Sequence, residues 1–287
     1  MSDHLAALSD AFSGLVAKTA ASIVAIESRR TRASGFVWRP GLIAASEEML
    51  SEDEEFSVVL HGGERVNASL AGRDPSTAIA LLKTEATQAP QLALSAPDVS
   101  PGALVLAQGA LGGAPLAAQT AIALAAGPWR SMRGGELTAR IELDRPLRRA
   151  LFGGVALDAH GNAFGMLVEG PKRRTLVIPT ATIERIAPIL RDKGRIARGY
   201  LGLSLQPAPV DGRRGAIVIA VDDNGPGARA GVRQGDVIVA VDGAPLESVR
   251  ALLRTLRPDS VGRSLRLALR RGGEPLELEF AIAERPA

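Results

Sequence analysis

Ala150-Leu151-Phe152-Gly153-Gly154-Val155-Ala156-Leu157 is the stretch on which the reading of this chain turns. A glycine pair stands between an aromatic residue and a short apolar run, and the turn-forming Asp158-Ala159-His160-Gly161-Asn162 closes the run. A short apolar run bounded by turn residues reads as a strand. The side chain ahead of the glycines is a hydrocarbon ring, which cannot attack a carbonyl.

Outward from that stretch the pattern repeats. Ile23-Val24-Ala25-Ile26-Glu27, Gly35-Phe36-Val37-Trp38, Leu42-Ile43-Ala44, Phe56-Ser57-Val58-Val59-Leu60, Ala78-Ile79-Ala80-Leu81-Leu82 and Leu104-Val105-Leu106-Ala107 are short apolar segments separated by Gly, Pro and Asp. That spacing predicts a barrel or sandwich. Ahead of them, Leu5, Leu8, Phe12, Leu15 and Val16 recur at helical spacing and predict a short amphipathic helix. Residues 182–191 read as a second helix, with Pro188 a local complication.

The 287 residues are enough for two or three domains, and 46% hydrophobic with 23% charged residues is ordinary globular composition. Aromatics are only 3%, so the cores must be built from aliphatic side chains. The net charge is +3, and the basic clusters Arg29-Arg30-Thr31-Arg32, Arg148-Arg149 and Lys172-Arg173-Arg174 are short and offset by acids such as Glu52-Asp53-Glu54-Glu55. A nucleic-acid surface needs a denser basic face with stacking aromatics, so none is expected. The absence of cysteine removes disulfides, thiol nucleophiles and Cys-based zinc sites. His4, His61 and His160 stand far apart, so no metal and no cofactor are expected. Residues 1–5 lack a basic segment and no continuous apolar run follows, which reads as a cytoplasmic protein, or a periplasmic one if the start site is misassigned. No run approaches the roughly 18 apolar residues of a membrane span.

The last ninety or so residues form a separate pattern. Gly225-Pro226-Gly227-Ala228-Arg229-Ala230-Gly231-Val232-Arg233-Gln234-Gly235-Asp236-Val237-Ile238, followed by Val241-Asp242-Gly243, resembles the signature of a PDZ domain. Arg198-Gly199-Tyr200-Leu201-Gly202-Leu203 resembles the carboxylate-binding loop that opens the permuted bacterial form of that domain. Successive N–H groups in such a loop make an anion-binding nest, beside which an extended peptide adds as a strand. The resemblance implies a peptide site at Arg198, Tyr200, Leu201, Gly202 and Leu203, walled by Val249, Leu252 and Leu253. Main-chain bonds with one apolar anchor imply affinities around 1 μM.

The preceding region resembles the double β-barrel of HtrA-type, DegP-like serine proteases, over roughly residues 23–190. The opening stretch is similar to that family's nucleophile segment, Gly-Asn-Ser-Gly-Gly, with Phe152 at the serine. Ser34-Gly35-Phe36-Val37 and Gly41-Leu42-Ile43-Ala44-Ala45 resemble the strand pair leading to the catalytic histidine, whose position falls at Glu48. Gly72-Arg73-Asp74-Pro75-Ser76-Thr77-Ala78-Ile79-Ala80-Leu81-Leu82 resembles the segment with the orienting aspartate, whose position falls at Ala78. Acyl transfer needs a nucleophile, a base and a group holding the base, and loss of the serine alone costs on the order of a millionfold in turnover.

The expected architecture is therefore mainly β: an N-terminal amphipathic helix (1–22), a degenerate trypsin-like double β-barrel (23–192), and a PDZ domain (193–287). The expected function is binding of peptides or protein C-termini by a catalytically inactive homologue, chaperone-like or regulatory. The alternative is an active, ATP-independent serine endopeptidase. The family implies a homo-oligomer, a trimer, or a mixed oligomer with an active homologue.

Overall fold

The computed structural model of the chain describes residues 2–28, 32–51, 55–85, 89–96, 99–210, 212–257 and 260–285. Arg29-Arg30-Thr31 of the first basic cluster and Glu52-Asp53-Glu54 of the acidic run lie outside the described residues. The chain forms two compact units, Met1–Ile196 and Ala197–Ala287.

In the first unit, α1 (Ser2–Thr19) precedes two closed barrels. The first barrel is made of β1 (Ile23–Glu27), β2 (Arg32–Arg39), β3 (Leu42–Ser46), β4 (Glu55–Val59), β5 (Arg65–Asp74) and β6 (Ile79–Thr84), in the order β1-β2-β3-β6-β5-β4. The second comprises β7 (Leu104–Leu111), β8 (Ala114–Ala126), β11 (Arg140–Leu143), β12 (Val155–Leu157), β13 (Ala163–Glu169) and β14 (Thr175–Pro179). Between β8 and β11 a small hairpin, β9 (Trp129–Arg130) and β10 (Glu136–Leu137), projects from that barrel. Each barrel has its own filling, Val24, Ile26, Val37, Ile43, Phe56 and Val58 in one, Val105, Ile122, Ile141, Phe152, Phe164 and Leu167 in the other. A third buried cluster joins the barrels and takes in Phe36, Trp38, Val155, Leu157 and the inner face of helix α2, Thr180–Lys193.

Helix α2 (Thr180–Lys193) keeps its course through Pro188, because Ile183, Ile186, Ala187 and Leu190 are buried against the barrels. Gly194 ends it at φ 71°, the left-handed conformation that glycine adopts freely. The carbonyl of Gly194 then accepts the Arg73 N–H at 3.0 Å, which holds the residues after α2 on the first unit. The first compact unit accordingly runs to Ile196. At the other end, buried Gln108 of β7 accepts from Thr19 Oγ1 (2.7 Å) and donates to the Val16 carbonyl (2.9 Å), tying down the end of α1. Leu5 and Leu8 at its start are exposed.

The second unit carries β15 (Gly199–Tyr200), β16 (Leu203–Val210), β17 (Arg213–Val221), β18 (Val237–Val241), β19 (Ala244–Pro245), β20 (Ser264–Arg271), β21 (Glu274–Ala281) and β22 (Ala283–Glu284), with short helices α3 (Pro226–Arg229) and α4 (Val249–Thr255). The main sheet runs β16-β17-β18-β20-β21, so β16 lies at an edge, and β15 pairs with β22. Ser248 caps α4, its Oγ accepting the Ala251 N–H at 3.0 Å. Asp236 of the Gly-Asp motif is buried. It accepts from the Arg233 N–H (2.8 Å) and from two nitrogens of Arg271 (2.8 and 2.9 Å). Burial alone would raise its carboxyl, but Arg271 and the Arg233 amide outweigh that and hold it below its usual value.

Candidate functional site

The three positions to which the sequence resemblance assigns the triad, Glu48, Ala78 and Phe152, lie on three elements of the first unit. Glu48 sits in a single 3-10 turn, residues Glu47–Met49, directly after β3. Ala78 ends the β5–β6 connection, and its carbonyl accepts the Glu47 N–H at 3.0 Å. Phe152 follows another 3-10 turn, Arg149–Leu151, and shares a buried cluster with Met49. The Arg149 guanidinium meets the Met49 sulfur at 3.8 Å. A Cβ built on Gly153 would lie 3.0 Å from the Ser46 nitrogen, so the Phe152–Gly153 turn rests against the start of the Glu48 turn.

The ring of Phe152 is 3% exposed and packs with the second barrel's core rather than facing solvent. The main chain around it is equally committed. The N–H groups of Leu151, Phe152, Gly153 and Gly154 donate to the carbonyls of Arg148, Arg149, Leu167 and Leu151, at 2.8–3.0 Å. An oxyanion hole needs N–H donors aimed at a developing negative charge, and the amide at position 152 is turned back onto Arg149. Ser34 fixes this arrangement from β2. Its N–H donates to the Phe152 carbonyl (3.0 Å), and its Oγ donates to the Ala150 carbonyl (2.6 Å) while accepting from the Ala110 N–H (2.9 Å).

The two glycines have packing reasons of their own. A Cβ on Gly153 would overlap the Ser34 carbonyl oxygen, and one on Gly154 would overlap that of Gln108. Gly153 is also at φ 86°. Ala78 stands at φ 59°, where an L-residue is strained.

Charged side chains collect around position 48. Glu47, almost buried, lies 3.8 Å from Arg73 and 3.5 Å from Arg133, and Glu48 lies 4.0 Å from Arg133. Glu48 is exposed as a residue but its side chain is partly covered (29% exposed), and this partial burial pushes its carboxyl above the usual value; Arg133 opposes this, while Glu47 and Glu169 add to it. Arg133 belongs to the β9–β10 hairpin, which docks on the β5–β6 connection through Ser131 Oγ to the Ser76 carbonyl (2.5 Å). Neither nearby serine is presented for attack. Ser46 is fully buried, and the Ser76 hydroxyl, also buried, donates to Asp74. His160 is exposed in the β12–β13 turn.

In the second unit the sequence-assigned residues divide by what they offer. Tyr200 pairs with Ala283 across β15–β22, and its hydroxyl donates to Asp222. That bond holds its phenol above the usual value and, with the Asn224 N–H, holds the Asp222 carboxyl below its own. The Asp222 N–H returns to the Gly202 carbonyl (2.8 Å), bracing the loop. Leu201 is buried, its carbonyl accepting the Gly227 N–H at 2.9 Å. Among the described residues, the N–H groups of Leu201 and Gly202 have no protein acceptor. Gly202 takes φ 70°, and a Cβ there would stand 2.8 Å from the Gly225 Cα. Such a left-handed turn, with adjacent N–H groups on offer, is an anion nest. Arg198 accepts the Arg285 N–H at its carbonyl. On α4, Leu253 is 55% exposed and Val249 partly so, whereas Leu252 is buried in the domain core, beneath the helix instead of lining an open wall.

Sequence reading missed the Ser34 clamp, the Arg133 bridge and the Tyr200–Asp222 brace, which depend on residues distant in sequence. It also passed over Pro207 and Pro209 inside β16, although proline in a strand pattern marks an edge.

Two closed barrels joined through a shared core, with the glycine-pair turn at their meeting point, define the trypsin-like peptidase fold. The model of a trypsin-like peptidase domain matches residues 33–166, and that of a PDZ domain matches residues 199–282. The chain is thus HtrA/DegP-like, a trypsin-like peptidase domain followed by a PDZ domain. A probable periplasmic serine endoprotease DegP-like of Brucella suis biovar 1 is 30% identical over 271 residues, covering 88% of this chain and 52% of the relative. Its counterpart in Halomonas elongata is 28% identical over 276 residues, covering 91% and 58%. The chain spans about half the length of the curated relatives it matches. Among solved structures, the serine endoprotease from Yersinia pestis matches with a TM-score of 0.74 at 25% identity, covering 96% of this chain and 98% of that one. The HtrA-type protease AlgW with decapeptide shares the fold, with a TM-score of 0.73 at 19% identity, covering 96% and 99%. Among the described residues, no helix is long and apolar enough to cross a membrane.

Proposed function

We propose that this chain is a catalytically inactive HtrA-like protein that binds peptides or protein C-termini through its PDZ domain. The observation that carries the reading is the state of residue 152: a buried phenyl ring in place of a nucleophile, on an amide that donates to Arg149 instead of standing ready for an oxyanion. The base position supports the same reading. Glu48 is engaged by Arg133, and Ala78 offers no group to orient a base.

The PDZ unit supplies the binding. The nest at Leu201–Gly202 takes a terminal carboxylate, the edge of β16 takes the peptide main chain, and Leu253 with Val249 meets an apolar side chain. The barrels then act as a platform, in a homo-oligomer or beside an active homologue, and the role is chaperone-like or regulatory. The relatives named periplasmic favour that compartment.

A fluorophosphonate probe tests the inactive reading: specific labelling of any serine, or cleavage of an unfolded substrate protein, would sink it. Binding of free-carboxylate but not amidated peptides tests the second half, and light scattering reads the oligomer.

A further inference from the structure

Two basic clusters that are separate in sequence meet at one end of the second barrel. Arg148-Arg149 precedes the Phe152 turn, and Lys172-Arg173-Arg174 lies in the β13–β14 connection. The Leu147 N–H donates to Thr175 Oγ1 at 3.1 Å, and Arg174 reaches Glu142 of β11 at 2.9 Å, so the two segments run side by side. The Gly153 N–H donates to the Leu167 carbonyl of β13 at 2.8 Å, which sets the Phe152 turn at the same end. Arg148, Arg149, Lys172 and Arg173 are all exposed. Arg145 and Arg174 are paired with Asp144 and Glu142. Among the described residues, the side chains of Arg148, Lys172 and Arg173 have no hydrogen-bond or ion-pair partner, and the polar contact of Arg149 is the Met49 sulfur.

The β13–β14 connection is strained. The Pro171 carbonyl accepts the Arg174 N–H at 3.3 Å across a turn whose central residues, Lys172 and Arg173, both stand in the left-handed region, at φ 58° and 59°. That is a type I′ turn, which Asn-Gly fills without strain and which long L-side chains disfavour. Packing does not call for two unpaired cations at these positions, and strain kept in this way points to use.

We propose that this end of the second barrel is a docking site for an acidic polypeptide segment, with Arg148, Arg149, Lys172 and Arg173 as its cationic contacts. The inference goes beyond the PDZ reading and does not depend on it. Guanidinium forks pair with carboxylates in a planar, two-bond geometry. Other polyanions fit the surface less well. Residues 140–149 and 169–175 contain no aromatic residue on which a base could stack. Glu142, Asp144 and Glu169 stand among the cations and break the continuous basic surface that a phosphate backbone follows. No large apolar side chain is exposed in these segments, so none is offered to a bilayer.

The experiment titrates the full chain into a fluorescent octaglutamate amidated at its C-terminus, so that a terminal carboxylate plays no part, and reads anisotropy. Octaglutamate is expected to bind at low salt and to weaken as salt rises, and octaglutamine amide not to bind. Arg148→Gln is expected to weaken binding about threefold, and the double variant Lys172→Asn with Arg173→Gly about tenfold. The double variant also fits the turn to Asn-Gly, so its thermal midpoint is expected to rise while its affinity falls. Lys83→Gln, which removes an exposed cation of β6 on the first barrel, is expected to leave binding unchanged. Parental affinity in the double variant overturns the site, because that variant folds at least as well as the parent. An equal loss in Lys83→Gln assigns the binding to bulk charge and overturns it too. An oligothymidylate of equal charge that binds at least about tenfold tighter than octaglutamate makes the partner a nucleic acid and overturns the acidic-polypeptide inference. Absence of octaglutamate binding at low salt overturns it outright.

Discussion

The Glu47 N–H donates to the Ala78 carbonyl at 3.0 Å, so the turn that carries Glu48 and the connection that ends at Ala78 are tied by main chain. That tie holds Ala78 at φ 59°, a conformation that costs an L-residue roughly 1–2 kcal/mol and that aspartate and asparagine adopt more readily. Ala78→Gly is expected to stabilise the first unit by about 0.5–1 kcal/mol, the relieved strain less the chain entropy of glycine. Ala78→Val should destabilise it. Both tryptophans, Trp38 and Trp129, lie in this unit, so their fluorescence during urea unfolding gives the answer. A loss on glycine substitution would show that the tie carries no strain.

Phe152→Ser removes a buried ring and leaves a hydroxyl in its cavity. The expected loss is about 3–5 kcal/mol, read by the same fluorescence. No fluorophosphonate labelling is expected at the new serine, because the neighbouring amide still donates to Arg149 and no base replaces Glu48. Labelling of the folded variant would mean that the turn reopens on its own.

The Glu48 carboxyl is pushed up by burial, so the folded state keeps that proton at pH values where the unfolded chain has released it. Stability must then fall as pH rises through the interval just above 4.5, the ordinary glutamate value, and Glu48 weighs against the fold at neutral pH. Glu48→Gln should raise the thermal midpoint of the first unit at pH 7 and flatten its decline above pH 4.5. An unchanged pH profile would contradict this.

Asp236 has the opposite sign. Its carboxyl is held below the usual 3.8, so its contribution is in full force above that pH and disappears as the pH drops through the lower folded-state value. Removing its partner with Arg271→Met leaves the Asp236 carboxylate with the Arg233 amide alone and is expected to destabilise the second unit. Hydrogen exchange of β18 and β20 amides would report it, and protection equal to that of the parent chain would disprove it.

Gly202→Val places a side chain 2.8 Å from Gly225 at a left-handed φ. Binding of a free-carboxylate peptide should fall at least about tenfold. Retained affinity would move the carboxylate site elsewhere.

The architecture was legible because its markers are local. Short apolar runs between turn residues announced the barrels, and Gly235-Asp236 with Asp242-Gly243 announced the second unit, since buried carboxylates and tight turns demand those residue types. Glu48, Ala78 and Phe152 were assigned by register against a motif, and the fold sets the segments that carry them on adjoining elements. What surrounds them was not legible. Arg133 reaches position 48 from a hairpin far along the chain, and Ser34 clamps residues 150 and 152 from β2. Leu252 and Leu253 are neighbours in sequence, but only the turn of α4 decides which enters the core and which faces solvent.

The glycine pair after Phe152 has a wider consequence. Its two positions are pinned by the carbonyls of Ser34 and Gln108, contacts that exist whether or not residue 152 can do chemistry. Any descendant that preserves these barrels must preserve both glycines, while the residue before them drifts. At these two positions the glycine pair thus records how a turn is packed, a demand separate from any chemistry at residue 152.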